Sequence, residues 1–328
     1  MRENGVDPLI LDAGDLFFST KEINDSNRNS EAYRAEAILE GYQKIGCDAI
    51  NIGQYEILNG LSFLKNITQK TGLPFISTNL KNSSTDELLF DPYRILYRGE
   101  LKIGVVGSTN LLPDTCKSIS SDDFIESCNK YANQIADEVD VIVALVNASR
   151  SDQNGLADQM PNVDFIITSG STNMSRSNSP QKKDGPYIYS CGKQGKYLLS
   201  LSVDIKDNSA PFVDVSAAEK KINSANKRFE RLQKKDPEKS LEEIYKDQEN
   251  VLKLIKKYRE DIVASETLIA SAVNTIEFEP IPLNKKVEDD KELLAFVTKS
   301  VKQCDALGPK KPPKPDNSKK SLHKGHNH

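Results

Sequence analysis

The sequence predicts an α/β layer structure, followed by a pair of charged amphipathic helices. Three observations carry that expectation. Short apolar runs at residues 9–11, 49–52, 75–77, 103–106, 141–146 and 165–167, each bounded by Gly, Asp, Asn or Ser, read as buried strands. Amphipathic stretches lie between them, such as 32–45, which leads into Gly46, and 124–139. From Ser216 the texture changes, and apolar residues recur at helical spacing inside a heavily charged background. Strands alternating with helices in this way imply a largely buried sheet covered on its faces.

Taken in order, the first two hundred residues supply the layered part. Near residue 200, the runs 187–190 and 197–205 are separated by CGKQGK, and the second partly alternates apolar with small polar residues. That predicts an antiparallel pair closing the domain, with GKQG as its bend, since no helix start follows to make it a phosphate cradle. In the next part, Ile222, Ala225, Phe229 and Leu232 form one stripe. Leu241, Ile244, Val251, Leu252, Ile255, Tyr258 and Ile262 form a second, after KKDPEKS. Asp236, Pro237 and a Ser240/Glu243 capping box suit the second start, so an αα-hairpin is expected. The expected organisation is therefore a layered domain at 1–215, a charged helical hairpin at 216–275, an extended segment and helix at 276–304, and a disordered Lys/Pro/His tail at 305–328. No internal repeat is present.

Composition narrows the function classes. No stretch of 18 apolar residues occurs, which excludes a membrane-spanning helix, and no secretory leader is visible after Met1. The net charge of −4 is uneven: residues 305–328 hold six Lys and two Asp, which leaves −8 for the preceding 304. A body that acidic argues against nucleic-acid binding, which needs cations to displace phosphate counterions. Five dispersed cysteines form neither a disulfide framework nor a CxxC metal site. The three histidines are His323, His326 and His328, all within the last six residues. Histidine bases, Ser/His or Cys/His pairs and His-ligated metals are thus excluded from the body of the chain unless the tail folds back. A flexible HKGHNH tail lacks the supporting hydrogen bonds that orient metal ligands, and reads as solvated.

The strand ends, read in sequence order, carry a resemblance. PLILDAGDLFF (8–18), GCDAINIGQYEI (46–57), PFISTNL (74–80), VDVIVALVNAS (139–149), VDFIITSGSTN (163–173) and GPYIYSCGKQGKYLLSLSVDI (185–205) resemble, in order, the segments of the calcineurin-like metallophosphoesterases. The likeness is to their exported 5'-nucleotidase and UDP-sugar hydrolase branch. It covers roughly residues 1–205 and implies a metallophosphoesterase-like layered β-sandwich flanked by helices.

In that family two divalent ions clamp the phosphate and activate a water. The resemblance places Asp15 at the metal-bridging aspartate and Gln54 at the ligand asparagine. Tyr55 stands at the transition-state histidine, and Glu56 matches the acidic residue after it. Asn147 replaces the next ligand histidine, and Ser171 and Asn173 fall where the last two ligand histidines belong. The family's opening Asp-x-His has no counterpart after Met1, so upstream residues are an expectation for the natural chain. Of the ligand set only Asp15 survives intact, and one carboxylate with a displaced amide does not repay dehydration of two divalent ions. Read without the family, DAGD is a strand-to-loop turn, with Asp15 structural, and Asn79 is likewise a turn residue.

These residues predict a degenerate, non-catalytic domain acting as a binding or assembly scaffold of the periplasm or cell envelope. No cofactor and no nucleic acid are expected, and the hairpin would contact another protein. The alternative is a phosphoester (nucleotide) hydrolase with an atypical site completed upstream of Met1, using two divalent ions (Mn, Zn, Mg or Ca). A nucleotide-binding module that keeps the cleft without chemistry is a third reading.

Overall fold

The structure is a computed structural model of the chain and describes residues 5–179, 181, 185–192 and 195–309. Its first strand, β1 (Leu11–Asp12), leads through a loop into helix α1 (Arg28–Ile45). Gly46 ends α1 in the left-handed conformation, with φ 77° and its N–H on the Tyr42 carbonyl. Then come β2 (Ala49–Asn51), the short α2 (Gln54–Ile57), α3 (Gly60–Thr71) and β3 (Phe75–Ile76). Strands β1, β2 and β3 form a parallel sheet in that order.

Strands β4 (Leu80–Asn82), β5 (Tyr93–Arg98), β6 (Leu101–Thr109) and β7 (Ile119–Ser121) follow, then α4 (Phe124–Ile135), β8 (Val141–Asn147), α5 (Leu156–Gln159), β9 (Phe165–Ser169) and β10 (Tyr187–Ser190). The second sheet has the order β10-β9-β8-β6-β5, parallel except for β5. Every residue of the central strand β8 is buried, as expected where helices or a second sheet cover both faces. Asp123 starts α4 by accepting the N–H groups of Ile125 and Glu126, both at 2.9 Å.

One expectation is corrected here. Residues 187–190 and 197–205 do not pair with each other: β10 runs parallel to β9, and β11 (Tyr197–Asp204) lies in a different sheet. Two residues of the GKQG turn, Lys193 and Gln194, lie outside the described residues. After β12 (Phe212–Asp214) the chain leaves the sheets through α6 (Ser216–Gln233), α7 (Leu241–Ile244) and α8 (Glu249–Ser271), and returns as β13 (Asn274–Pro282). β13 pairs antiparallel to β11 over eight residues and parallel to β12, so the extended segment is the middle strand of a third sheet. Its Ile276 and Phe278 join the core formed by Ile103, Val105, Val143, Leu145 and Tyr189.

Helices α6 and α8 pack on each other around Leu241, Tyr245 and Ile255. The Ser240/Glu243 capping box forms at α7, with the Glu243 N–H on Ser240 Oγ at 3.3 Å and the Ser240 N–H on Glu243 Oε2 at 3.0 Å. Last, α9 (Lys291–Leu307) lies along α1, where Ser30 Oγ donates to the Cys304 carbonyl at 2.8 Å. The helix runs three residues into the tail expected at 305–328, because Asp305–Leu307 continue its hydrogen-bonded turns; the remainder of that tail, 310–328, lies outside the described residues. No helix of the described residues is long and apolar enough to cross a membrane.

Candidate functional site

The carboxyl ends of β1, β2, β6, β8 and β9 point to one edge of the layered part, the usual location of sites in open α/β sheets. Parallel register aligns Thr109, Asn147 and Ser169 in one row across the ends of β6, β8 and β9. The row is closed by hydrogen bonds. Thr109 Oγ1 donates to Asn147 Oδ1 at 3.0 Å, and Asn147 Nδ2 donates to Ser169 Oγ at 2.7 Å. Ser169 Oγ in turn donates to the Ala13 carbonyl at 2.7 Å, tying the second sheet to the loop after β1. Asn147 is fully buried, and its Oδ1 also accepts the Gln54 N–H at 3.2 Å.

The loop after β1 is held from below by Glu56. This fully buried carboxylate accepts four backbone N–H groups: Gly53 at 2.7 Å, Asp15 at 3.0 Å, Leu16 at 2.6 Å and Phe17 at 3.1 Å. Burial pushes its pKa up to about 7, and the neighbouring Asp15 charge adds to the rise, while the Asp15 and Leu16 N–H groups oppose it. Asp15 has φ +71°, rare for a residue with a side chain, and its Oδ1 accepts the Tyr55 N–H at 3.2 Å. Burial, then the Asp15 charge, raises the Tyr55 hydroxyl pKa. Asp12, at the end of β1, is also raised by burial, against the opposing Tyr42 hydroxyl and Gly14 N–H that bond it.

Two glycines let the loops cross. A Cβ on Gly53 would lie 2.6 Å from the Asp15 nitrogen and 2.9 Å from both Asp15 Oδ1 and Asn147 Nδ2. Asp15 and Asn147 therefore meet over Gly53. The structure brings together Asp15, Gln54, Tyr55, Glu56 and Asn147, as the resemblance implied.

Ser171 and Asn173 form a second cluster around Gln153, a buried residue that sequence reasoning missed. Ser171 Oγ and Asn173 Nδ2 both donate to Gln153 Oε1 at 2.9 Å, and Gln153 Nε2 donates to the Ala148 and Ser169 carbonyls at 2.9 and 2.8 Å. A polar loop after a strand gives no sign that one amide will turn back beneath the next strand. Asn79 is structural, bridging the Thr109 and Asp122 carbonyls with Nδ2 and accepting the Thr109 N–H.

This donor set does not fit a pair of divalent ions. Asn147 presents an amide N–H2 where a lone pair is needed, and its oxygen is already shared between two donors. Ser171 and Asn173 offer only neutral hydroxyl and amide oxygens, held against Gln153, in place of the family's imidazoles. Among the described residues there is no group of three or more His, Cys, Asp or Glu arranged to hold a metal ion. Asn147→His tests how fixed the row is. An imidazole displaces three hydrogen bonds in a fully buried space, and the variant is expected to lose roughly 2–3 kcal/mol of stability in urea unfolding. It should gain no bound zinc in a titration.

No protein-family model matches the chain. Protein UshA of Salmonella pullorum is 36% identical over 104 residues, which are 32% of this chain and 18% of that protein. A 5'-nucleotidase of Vibrio cholerae is 34% identical over 102 residues, 31% of this chain and 18% of the relative. The matched stretch thus spans less than a fifth of either relative. Among solved structures, the calcineurin-like phosphoesterase YfkN of Bacillus subtilis superposes with a TM-score of 0.57 at 16% identity, over 91% of this chain and 84% of that one. The chain therefore has the calcineurin-like phosphoesterase fold, and about a third of it is similar in sequence to protein UshA and to a 5'-nucleotidase.

Proposed function

We propose that this chain is a degenerate 5'-nucleotidase-like metallophosphoesterase domain that has lost catalysis and serves as a binding or assembly scaffold in the periplasm or cell envelope. On this reading residues 1–215 are the phosphoesterase-like unit. Residues 216–275 are a helical hairpin that offers a contact surface to another protein, and 276–304 close the structure.

One observation carries the proposal. The positions that should ligate metal are occupied by amides and a hydroxyl whose hydrogen bonds are already made within the protein, Asn147 to Thr109 and Ser169, and Ser171 with Asn173 to Gln153. Phosphate clamping by two ions needs several oxygen or imidazole lone pairs converging on each ion. Here neutral amides and a hydroxyl, cross-linked to neighbouring side chains, stand in place of imidazole ligands, which supports a retained fold with its chemistry replaced by cross-links. The surviving Asp15 then helps to set the loop, through the Tyr55 N–H.

The test is elemental analysis of the full chain with His323, His326 and His328 changed to Ala, after dialysis against micromolar manganese and zinc. Removing the imidazoles spares α9, which a truncation at Cys304 would cut short. The expected result is no stoichiometric metal and no nucleotide hydrolysis above a blank. One or two ions per chain, lost in Asp15→Asn and accompanied by turnover, would overturn the proposal and favour a divalent-metal-dependent hydrolase with an atypical site.

A further inference from the structure

The outer face of α6 is positively charged along its length. Lys220, Lys227, Arg231 and Lys234 are all exposed, and their spacing of 7, 4 and 3 residues sets them within about 60° of helical arc over about 21 Å. They lie opposite Ala218 and Ala225, which face the protein. None of the four side chains has a hydrogen bond or an ion pair among the described residues, whereas most of the other cations here, Lys246 and Lys257 apart, are used locally. Lys221 pairs with Asp261, Arg228 bonds and stacks on Tyr258, and Lys235 lies over the Tyr245 ring. On α8, Lys253 pairs with Glu249, Lys256 with Glu260, and Arg259 with Glu242. The helical excursion therefore has a largely neutralised side and one aligned row of uncompensated cations on α6, flanked on the helix by Glu219 and Glu230.

The layered part has the opposite sign. Residues 1–215 hold 20 Lys or Arg against 29 Asp or Glu, a formal charge of −9. An extended anionic surface would repel that body and attract the α6 row, so the charge distribution fixes an orientation as well as an attraction. Three of the four cations are lysines, compact point charges on long stems. Such side chains suit many diffuse phosphate headgroups better than one bidentate partner.

We propose that α6, through Lys220, Lys227, Arg231 and Lys234, docks this protein on an anionic phospholipid surface, with the acidic α/β part held away from it. The attachment is peripheral and reversible, because α6 exposes no large apolar residue to enter the acyl layer. It stands on the α6 row alone and does not rest on the loss of catalysis.

The experiment is cosedimentation of the full chain with vesicles of phosphatidylglycerol, or of phosphatidylcholine, at low salt. Pelleting with phosphatidylglycerol only, lost in 1 M salt, is expected. Changing all four residues to Gln should weaken the association by on the order of a thousandfold. It should leave the circular dichroism spectrum and melting temperature unchanged, since none of the four is bonded. Lys253→Gln with Lys256→Gln, on the neutralised side, should bind as the unchanged protein does. Undiminished pelleting of the four-residue variant would overturn the proposal by assigning attachment to another basic segment, such as the lysines after residue 309. Equal association with phosphatidylcholine, or none with phosphatidylglycerol, would overturn it as well.

Discussion

Glu56→Ala is expected to destabilise the protein more than any change at an aligned ligand position. Four backbone N–H groups, from Gly53, Asp15, Leu16 and Phe17, lose their acceptor in a buried or half-buried place. Each orphaned buried donor costs about 1–3 kcal/mol, and partial relaxation of the loop brings the expected loss to roughly 4 kcal/mol. Glu56→Gln keeps one acceptor oxygen and turns an N–H2 towards the other two donors, for an expected loss of roughly 2 kcal/mol.

The same residue sets a pH dependence. Its pKa rises from 4.5 to about 7 on folding. Between those values the folded protein holds a proton that the unfolded chain has released. The contribution to stability is therefore complete below about pH 4.5 and is lost as pH rises through about 7, a change on the order of 3 kcal/mol. Urea unfolding at pH 5 and pH 8 should show that fall, and Glu56→Gln should flatten it. A stability that rises across this window, and does so equally in Glu56→Gln, would show that the four N–H groups outweigh burial.

Gly53→Ala is the second large effect. The added Cβ meets backbone, the Asp15 nitrogen at 2.6 Å, which no rotamer change relieves. Gly14→Ala is its counterpart, because Gly14 has φ +95° and its Cβ would lie 2.7 Å from the Gly53 nitrogen. Each should cost on the order of 2–4 kcal/mol and push Asp15 away from Asn147. Gly41→Ala is the control. It lies inside α1 with nothing within 4 Å of its Cβ, and a gain of roughly 0.5–1 kcal/mol is expected there. Thermal unfolding of the three variants reads all of this, and a Gly53→Ala protein as stable as Gly41→Ala would refute the crossing of loops.

Much of the candidate site was legible in single residues. DAGD, GQYE and the strand ending in Asn147 each pointed to residues the structure places side by side, because in parallel strands the side chains at the carboxyl ends emerge along one edge. What those residues do was less legible. Asn147 and Ser171 read as vacant ligand positions, yet both are committed to hydrogen bonds whose other ends, Thr109, Ser169 and Gln153, come from separate strands and a loop. Glu56 read only as a matching acid, and its role as a four-way acceptor needed the loop after β1 to fold over it.

The contrast is sharpest in the third sheet. Local periodicity identified 197–205 as a strand, and β11 covers nearly the same residues. Its partner was misassigned to 187–190 because sequence proximity favours a hairpin where nothing else is known. In the structure β11 pairs with β13, about 75 residues on, after α6, α7 and α8 have left the sheets and returned. Apolar runs, glycine stops and the absence of histidine from the body are properties of short segments, legible without any knowledge of the fold. Which strand lies beside which, and which amide fills the place of a lost ligand, depend on burial shared between distant segments, and only the tertiary structure decided those.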